Sequence, residues 1–200
     1  MAAHARIPGF DSGGFVGVTL FFVLSGFLIT SILVEELDRS DRIGFASFYV
    51  RRGLRLLPAL ALVIIVWTTF DALAGIGSPA RDALVTGLYV ANFFRAAGIE
   101  LGNLSHTWSL SIEEQFYIVW PLLFAALVRW TRRPLAGVLA ILAASFLLNL
   151  VWVTSAPTDA YFLPFTRLWE LLAGAALVFG WAQSQSRPLV NVQVLGSASV

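Results

Sequence analysis

Twenty consecutive residues, Phe15 to Val34, carry no ionisable group. At about 1.5 Å rise per residue, a helix of that length crosses the roughly 30 Å hydrocarbon layer of a bilayer. Inside lipid only a helix or a closed barrel satisfies its own backbone hydrogen bonds, and an apolar run without alternation is a helix pattern. Composition extends the constraint to the whole chain. Of 200 residues, 58% are hydrophobic and 12% charged, against about 45–50% and about 25% in soluble domains. The expected fold class is therefore all-α, a multi-pass transmembrane helix bundle of about five to seven helices. The expected location is a cell membrane, plasma or inner.

Further apolar segments follow: Leu56 to about Ile76, Trp108 to Val128, Leu135 to Val153 and Phe165 to Gln183. The polar stretch Glu35 to Arg55, with Arg39, Arg42, Arg51, Arg52 and Arg55, reads as a loop, cytoplasmic by the positive-inside rule. Leu84 to Phe94 is apolar but short for a full crossing, which leaves both a crossing and a tilted, re-entrant or interfacial helix open. It matters for topology: if it crosses, Arg129, Arg132 and Arg133 fall on the outer side, against the same rule. The chain has no cysteine, which removes disulfides, thiolate zinc sites and cysteine nucleophiles. A net charge of +1 gives no field for nucleic acid, and no metal is expected. Nothing in the first residues reads as a cleavable signal peptide. Both ends read as cut, the last apolar stretch breaking off at Val200.

Ionisable groups in or beside hydrocarbon are costly, so each is a functional hypothesis. Four places qualify. His4 is the first: imidazole titrates near neutral pH and suits removal of a hydroxyl proton, although a histidine near a terminus is commonly just solvated. The second is Phe48 to Pro58. If helical, it places Arg51 and Arg55 at i, i+4 and Arg52 and Arg55 at i, i+3, a grouping that suits phosphates or equally fixes membrane orientation. The third is Ser105 to Tyr117, where His106, Ser109, Glu113, Tyr117 and Trp120 share one helical face and Glu114 points about a quarter turn away. A competing reading makes Ser111 an N-cap and Glu114 its capping-box partner, leaving His106 off the helix. The fourth is Arg167 with Glu170, a pair that can neutralise itself at the start of a membrane helix, where Ala173 and Gly174 admit a close neighbour.

Together these segments resemble the acyltransferase 3 family of multi-pass membrane proteins, which move acyl groups, commonly acetyl, onto sugar hydroxyls and other acceptors. The resemblance rests on Gly13-Gly14-Phe15-Val16-Gly17-Val18 leading into Phe21 to Thr30 with Ser25 and Gly26, and on Phe48-Tyr49 with Arg51, Arg52 and Arg55 to Pro58. It rests further on His106-Thr107-Trp108-Ser109-Leu110-Ser111-Ile112-Glu113-Glu114-Gln115-Phe116-Tyr117 and on Arg167-Leu168-Trp169-Glu170 to Gly174. These motifs stand in family order over nearly the whole chain.

The resemblance implies that residues 1–200 are part of an acyltransferase 3 membrane domain, with the first helix and later helices lying outside the sequence. It makes His4 the catalytic base, assisted by Glu113 and Glu114. Arg51, Arg52 and Arg55 would hold acyl-CoA, the co-substrate, with no permanently bound cofactor. Ser25, Gly26, His106, Trp108, Ser109, Tyr117, Arg167 and Glu170 would support the site. The partners implied are acyl-CoA, a carbohydrate or other hydroxyl acceptor and the bilayer. A positioned base contributes about 10²–10⁴-fold, so an oxyanion donor is needed as well, and the spacing does not select among Asn92, Asn103 and Ser109. Two rivals stand beside this reading. A transporter or flippase would line its path with Glu113, Glu114, Arg167 and Glu170 and show inverted repeats, and a family remnant would lack catalysis.

Overall fold

The computed structural model describes residues 13–184, and His4 lies outside the described residues. Among these the chain is helical and free of strands. The elements are α1 (Gly13–Ser40), α2 (Phe45–Ala74), α3 (Pro79–Gly87), α4 (Ala91–Ala96), a 3-10 turn (Gly102–Thr107), α5 (Trp108–Trp130), α6 (Pro134–Ser155), α7 (Pro157–Phe162) and α8 (Pro164–Ser184). Among the described residues, five segments are long and apolar enough to cross a bilayer: Val16–Ser40, Phe45–Ala74, Gly102–Trp130, Pro134–Ser155 and Pro157–Ala182. The chain is thus an all-α, multi-pass membrane protein.

Two expectations change. The stretch Glu35 to Arg55 is not a loop: α1 runs through Ser40 and α2 begins at Phe45, leaving only 41–44 between them. Polar residues that leave the hydrocarbon have no reason to leave the helix, and Glu35 and Arg39, one turn apart, pair at 2.5 Å. The helix stops where Asp41 takes a left-handed conformation (φ 54°) and its amide returns to the carbonyl of Leu37 at 2.9 Å. The second change concerns Leu84 to Phe94, which breaks into the end of α3 and the start of α4 around a turn at 88–90. It is no crossing. Only α2 and α5 then separate the arginines around the α1–α2 junction from Arg129, Arg132 and Arg133, so by count both groups lie on one side, the cytoplasmic side by the positive-inside rule, and Arg81 and Arg95 lie on the other.

The chain divides into two compact units. One contains, of the described residues, 13–43, 119–142 and 170–184. Its interior stacks Phe124 on Phe179 (centroids 5.5 Å apart), and the Trp120 indole donates to the Thr30 hydroxyl at 2.9 Å. Within it α1 and α8 approach to backbone contact. A Cβ on Gly26 would stand 1.8 Å from the carbonyl oxygen of Leu171, and one on Gly174 would stand 2.0 Å from that of Val23. The expected close neighbour of Gly174 is therefore α1, brought in by the small-residue packing that replaces hydrophobic drive between helices in lipid. The second unit contains 44–118 and 143–169. It packs Val85, Ala91, Leu101 and Leu104 against Val63, Trp67, Val90 and Phe94, tying α2, α3, α4 and the 3-10 turn together.

Candidate functional site

The polar residues of the second unit meet where α2 passes α5. Arg52, on the face of α2 turned towards α5, donates through Nη2 to Glu114 Oε1 at 2.9 Å. Its guanidinium carbon lies 3.2 Å from the centroid of the Tyr117 ring. The Tyr117 hydroxyl in turn donates to the Glu113 carboxylate. Glu113 and Glu114 are 5% and 8% exposed, Tyr117 4%. This answers what two adjacent carboxylates do inside a membrane helix. One is neutralised by an arginine from another helix, the other takes a phenol hydrogen bond, and the ring between them lends its face to the cation.

The register of α5 creates this arrangement. The helix starts at Trp108, so Ser111 lies within its first turns and its buried hydroxyl donates back to the Thr107 carbonyl at 3.2 Å. Ser111 is thus no N-cap, and Glu114 is no capping-box partner, because its carboxylate serves Arg52. The shared face holds for Glu113, Tyr117 and Trp120, all buried. It fails for His106, which stands exposed on the 3-10 turn with Nδ1 2.7 Å from the Asn103 carbonyl oxygen. A 3-10 turn advances about 120° per residue rather than 100°, so the α-helical projection misplaces every residue before Trp108. Ser109 is half-buried.

The broken segment between α3 and α4 reaches this site. Tyr89, at the turn, is a non-glycine residue held at φ 55°, a conformation that costs an aromatic residue energy and marks a position fixed by its surroundings. Gln115 fixes it, donating through Nε2 to the Tyr89 carbonyl at 2.7 Å and to Asn92 Oδ1 at 2.9 Å. Asn92 passes the tie on to the Phe162 carbonyl at 3.3 Å. Gln115 lies seven residues into α5, about 10 Å below its first residue at 1.5 Å per residue. The α3–α4 turn is therefore re-entrant, and the Tyr89 phenol feels the cluster. Burial pushes its pKa up, the Glu114 carboxylate adds to the rise and Arg52 opposes it. Tyr89 escapes sequence reasoning because nothing local distinguishes it, a turn between two short apolar stretches being the available signal, and Gln115, although within the His106 to Tyr117 motif, is given no role by sequence.

The remaining expected residues fall as follows. Arg51 and Arg55 are exposed on α2, in the helical spacing expected. Arg52 is turned inward, its side chain 21% exposed. Trp108 is buried under Tyr161 and Phe162, with centroids at 4.9 and 5.0 Å, and the Arg167 guanidinium, itself 1% exposed, faces the Tyr161 ring at 5.2 Å. In the other unit, Ser25 is buried and Glu170, fully buried, accepts the Thr19 hydroxyl at 3.1 Å. Of the oxyanion candidates, Asn92 is held by Gln115 and Phe162 and Asn103 by Asp71. Both are engaged in holding the fold.

A family model described as an acyltransferase domain matches residues 3–198. The chain is 34% identical over 196 residues to the peptidoglycan O-acetyltransferase OatA of Listeria monocytogenes, an alignment covering 89% of this chain and 31% of that protein. It is 37% identical over 205 residues to the O-acetyltransferase OatA of Staphylococcus aureus, covering 94% of this chain and 34% of that protein. The chain spans about a third of the length of these relatives. No solved structure matches it.

Proposed function

The chain belongs to the acyltransferase 3 family, and we propose that it forms part of the membrane domain of an O-acyltransferase that moves an acetyl group from acyl-CoA to a hydroxyl of a cell-envelope carbohydrate. The acceptor named for its relatives, peptidoglycan, is the first to try. The observation that carries the reading is the cluster of Arg52, Glu113, Glu114 and Tyr117 buried on spans α2 and α5. A helix bundle that needed only to span lipid would not carry the cost of these groups.

In this mechanism His4 takes the proton of the acceptor hydroxyl. The freed oxygen attacks the thioester carbonyl, and the tetrahedral intermediate collapses by breaking the C–S bond. The departing CoA thiolate carries the electron pair and takes up the proton that His4 releases. Arg51 and Arg55, exposed towards the cytoplasmic end of α2, hold the phosphates of CoA as planar guanidinium groups do well. Arg52 lies between them and the interior, with Glu114 fixing its direction. Glu113 and Glu114 thus act through Tyr117 and Arg52 rather than as the base itself. Tyr89 supplies a phenol that stays neutral and can donate to the developing oxyanion. The cluster lies about one turn or less along α2 from Arg51 and Arg55, at a level that the re-entrant turn reaches from the opposite side. That shortens the span over which the acyl group must pass.

The test is acetyl transfer in membranes containing the chain, using labelled acetyl-CoA and peptidoglycan, beside His4→Ala, Arg55→Ala and a chain extended to the length of the relatives. Transfer that His4→Ala abolishes, with Arg55→Ala raising the KM for acetyl-CoA, supports the reading. Absence of both transfer and acetyl-CoA binding in the chain and in its extended form sinks it.

A further inference from the structure

Away from the cluster just described, two carboxylates are buried together where α2 ends, α3 begins and the 3-10 turn passes. Asp71 is 1% exposed and Asp82 0%. Asp71 is satisfied: Oδ2 accepts the Asn103 amide at 3.1 Å and Oδ1 the Asn103 side-chain amide. Asp82 is half satisfied. Its Oδ1 accepts Arg81 Nε at 2.8 Å, whereas its Oδ2 is buried and no hydrogen-bond donor reaches it. Arg81 pairs with one of the two carboxylates and Asp71 is held by neutral amides, so a negative charge is left over beside an oxygen with nothing bonded to it. A buried carboxylate oxygen left without a donor costs free energy even when its partner oxygen is paired.

Two glycines lie beside this oxygen. A Cβ on Gly77 would stand 3.1 Å from Asp82 Oδ2. A Cβ on Gly102 would stand 2.5 Å from Asp71 Oδ2 and 3.6 Å from Asp82 Oδ2. Both glycines have positive φ, 61° and 52°, so the backbone here excludes ordinary side chains twice over. The two Oδ2 atoms lie on one side of Gly102, no farther apart than the sum of those two distances, about 6 Å. A hard divalent cation bound at about 2.3–2.6 Å from each oxygen needs them within about 5 Å, and it takes its other ligands from backbone carbonyls and water. By the topology derived above, this junction faces away from the cytoplasm.

We propose that Asp71 and Asp82, in the cradle left by Gly77 and Gly102, bind a divalent hard cation, Ca²⁺ by preference, that clamps the end of α2 to α3 and to the 3-10 turn leading into α5. With only two acidic side chains converging, the affinity belongs to the weak extracellular class, about 10⁻⁴–10⁻³ M. The proposal does not depend on the acyl-transfer reading.

The experiment is equilibrium dialysis with radioactive Ca²⁺ up to about 10 mM, tenfold above the weakest such sites, on the full chain purified in detergent and stripped with chelator. Thermal unfolding is followed in parallel. Variants are Asp82→Asn, Asp71→Asn and, as a control, Glu35→Gln on the exposed end of α1. One saturable Ca²⁺ per chain is expected, with a rise in unfolding midpoint of about 3–6 °C at tenfold saturation. Both effects are lost in Asp82→Asn and kept in Glu35→Gln. Asparagine is isosteric and uncharged, so Asp82→Asn keeps its fold, and its circular dichroism checks that. Failure of the wild-type chain to bind, or binding by Asp82→Asn equal to wild type, overturns the proposal.

Discussion

The contact between α1 and α8 gives the sharpest prediction. In Gly26→Ala the new methyl must move from 1.8 Å to about the 3.4 Å of ordinary contact with the Leu171 carbonyl oxygen, so the helices must part locally by about 1.6 Å. Neither partner atom is the end of a flexible side chain. A gap of 0.5–1 Å already forfeits a quarter to a half of each atom pair's dispersion well, and the Thr19 to Glu170 hydrogen bond, now 3.1 Å, does not survive such an opening. Overpacking costs about 1–3 kcal/mol and a lost hydrogen bond about 1 kcal/mol. Against this stands a gain of up to about 1 kcal/mol for replacing glycine by alanine in a helix. The net loss is about 1–3 kcal/mol, which lowers the midpoint by about 2–12 °C for a chain of this size. Gly174→Ala meets Val23 and Phe27 across the same crossing, so one separation relieves both methyls and the double variant loses far less than the sum. Gly180→Ala is the control: no atom lies within 4 Å of its Cβ position, and it gains stability. Thermal unfolding in detergent, read by size-exclusion chromatography after heating, measures all four. Gly26→Ala as stable as Gly180→Ala, or strict additivity of the two crossing variants, would refute the packing argument.

Three further outcomes follow from the second unit. Glu114→Ala strands the Arg52 guanidinium, whose side chain is only 21% exposed; with its Tyr117 stack retained, the expected loss is about 2–3 kcal/mol, below the 3–5 kcal/mol of a fully buried pair, and in unfolding measurements the double replacement of Arg52 and Glu114 by methionine should cost less than Glu114→Ala alone. Tyr89 is held neutral by burial and by Glu114. Its contribution to stability is therefore complete below the ordinary tyrosine pKa of about 10 and lost as pH rises through the higher folded value; acetyl transfer should fall in Tyr89→Phe with little change in KM, and an equal rate in that variant removes the phenol from the mechanism. Glu100 behaves in the opposite sense: hydrogen bonds from Arg95 and Ser105 hold its carboxyl below the usual range, so its contribution is complete above the ordinary glutamate pKa and fades as pH falls through the folded value. Because Glu100 is largely exposed, the effect should be small and screened by salt, visible as faster amide exchange around the 3-10 turn in acid, and absent in Glu100→Gln.

The sequence by itself determined the solvent, the class and the charges. A 20-residue uncharged run has one physical use in a chain this apolar, and the five crossings follow from length and hydropathy without any tertiary contact. The candidate residues were also legible, because an ionisable group in a membrane helix stands out against its neighbours: Arg52, Glu113, Glu114 and Tyr117 all lie in segments singled out from sequence, and Gly174 was rightly placed at a close helix contact. What periodicity cannot carry is which helix faces which. The pairing of Arg52 with Glu114 joins residues 62 positions apart, and the capping-box alternative for Glu114 failed only because α5 begins at Trp108 rather than after Ser111. Whether the Leu84 to Phe94 stretch crosses or re-enters turned on one left-handed residue, Tyr89, whose carbonyl is caught by Gln115 from another helix. The open oxygen of Asp82 likewise has no sequence signature, since its setting is made by Asp71, Gly77 and Gly102 meeting in space. Local composition fixes what each segment must be dissolved in, because transfer free energy is a sum over residues; the partner of a buried charge is a pairwise, long-range matter that only the packed helices decide.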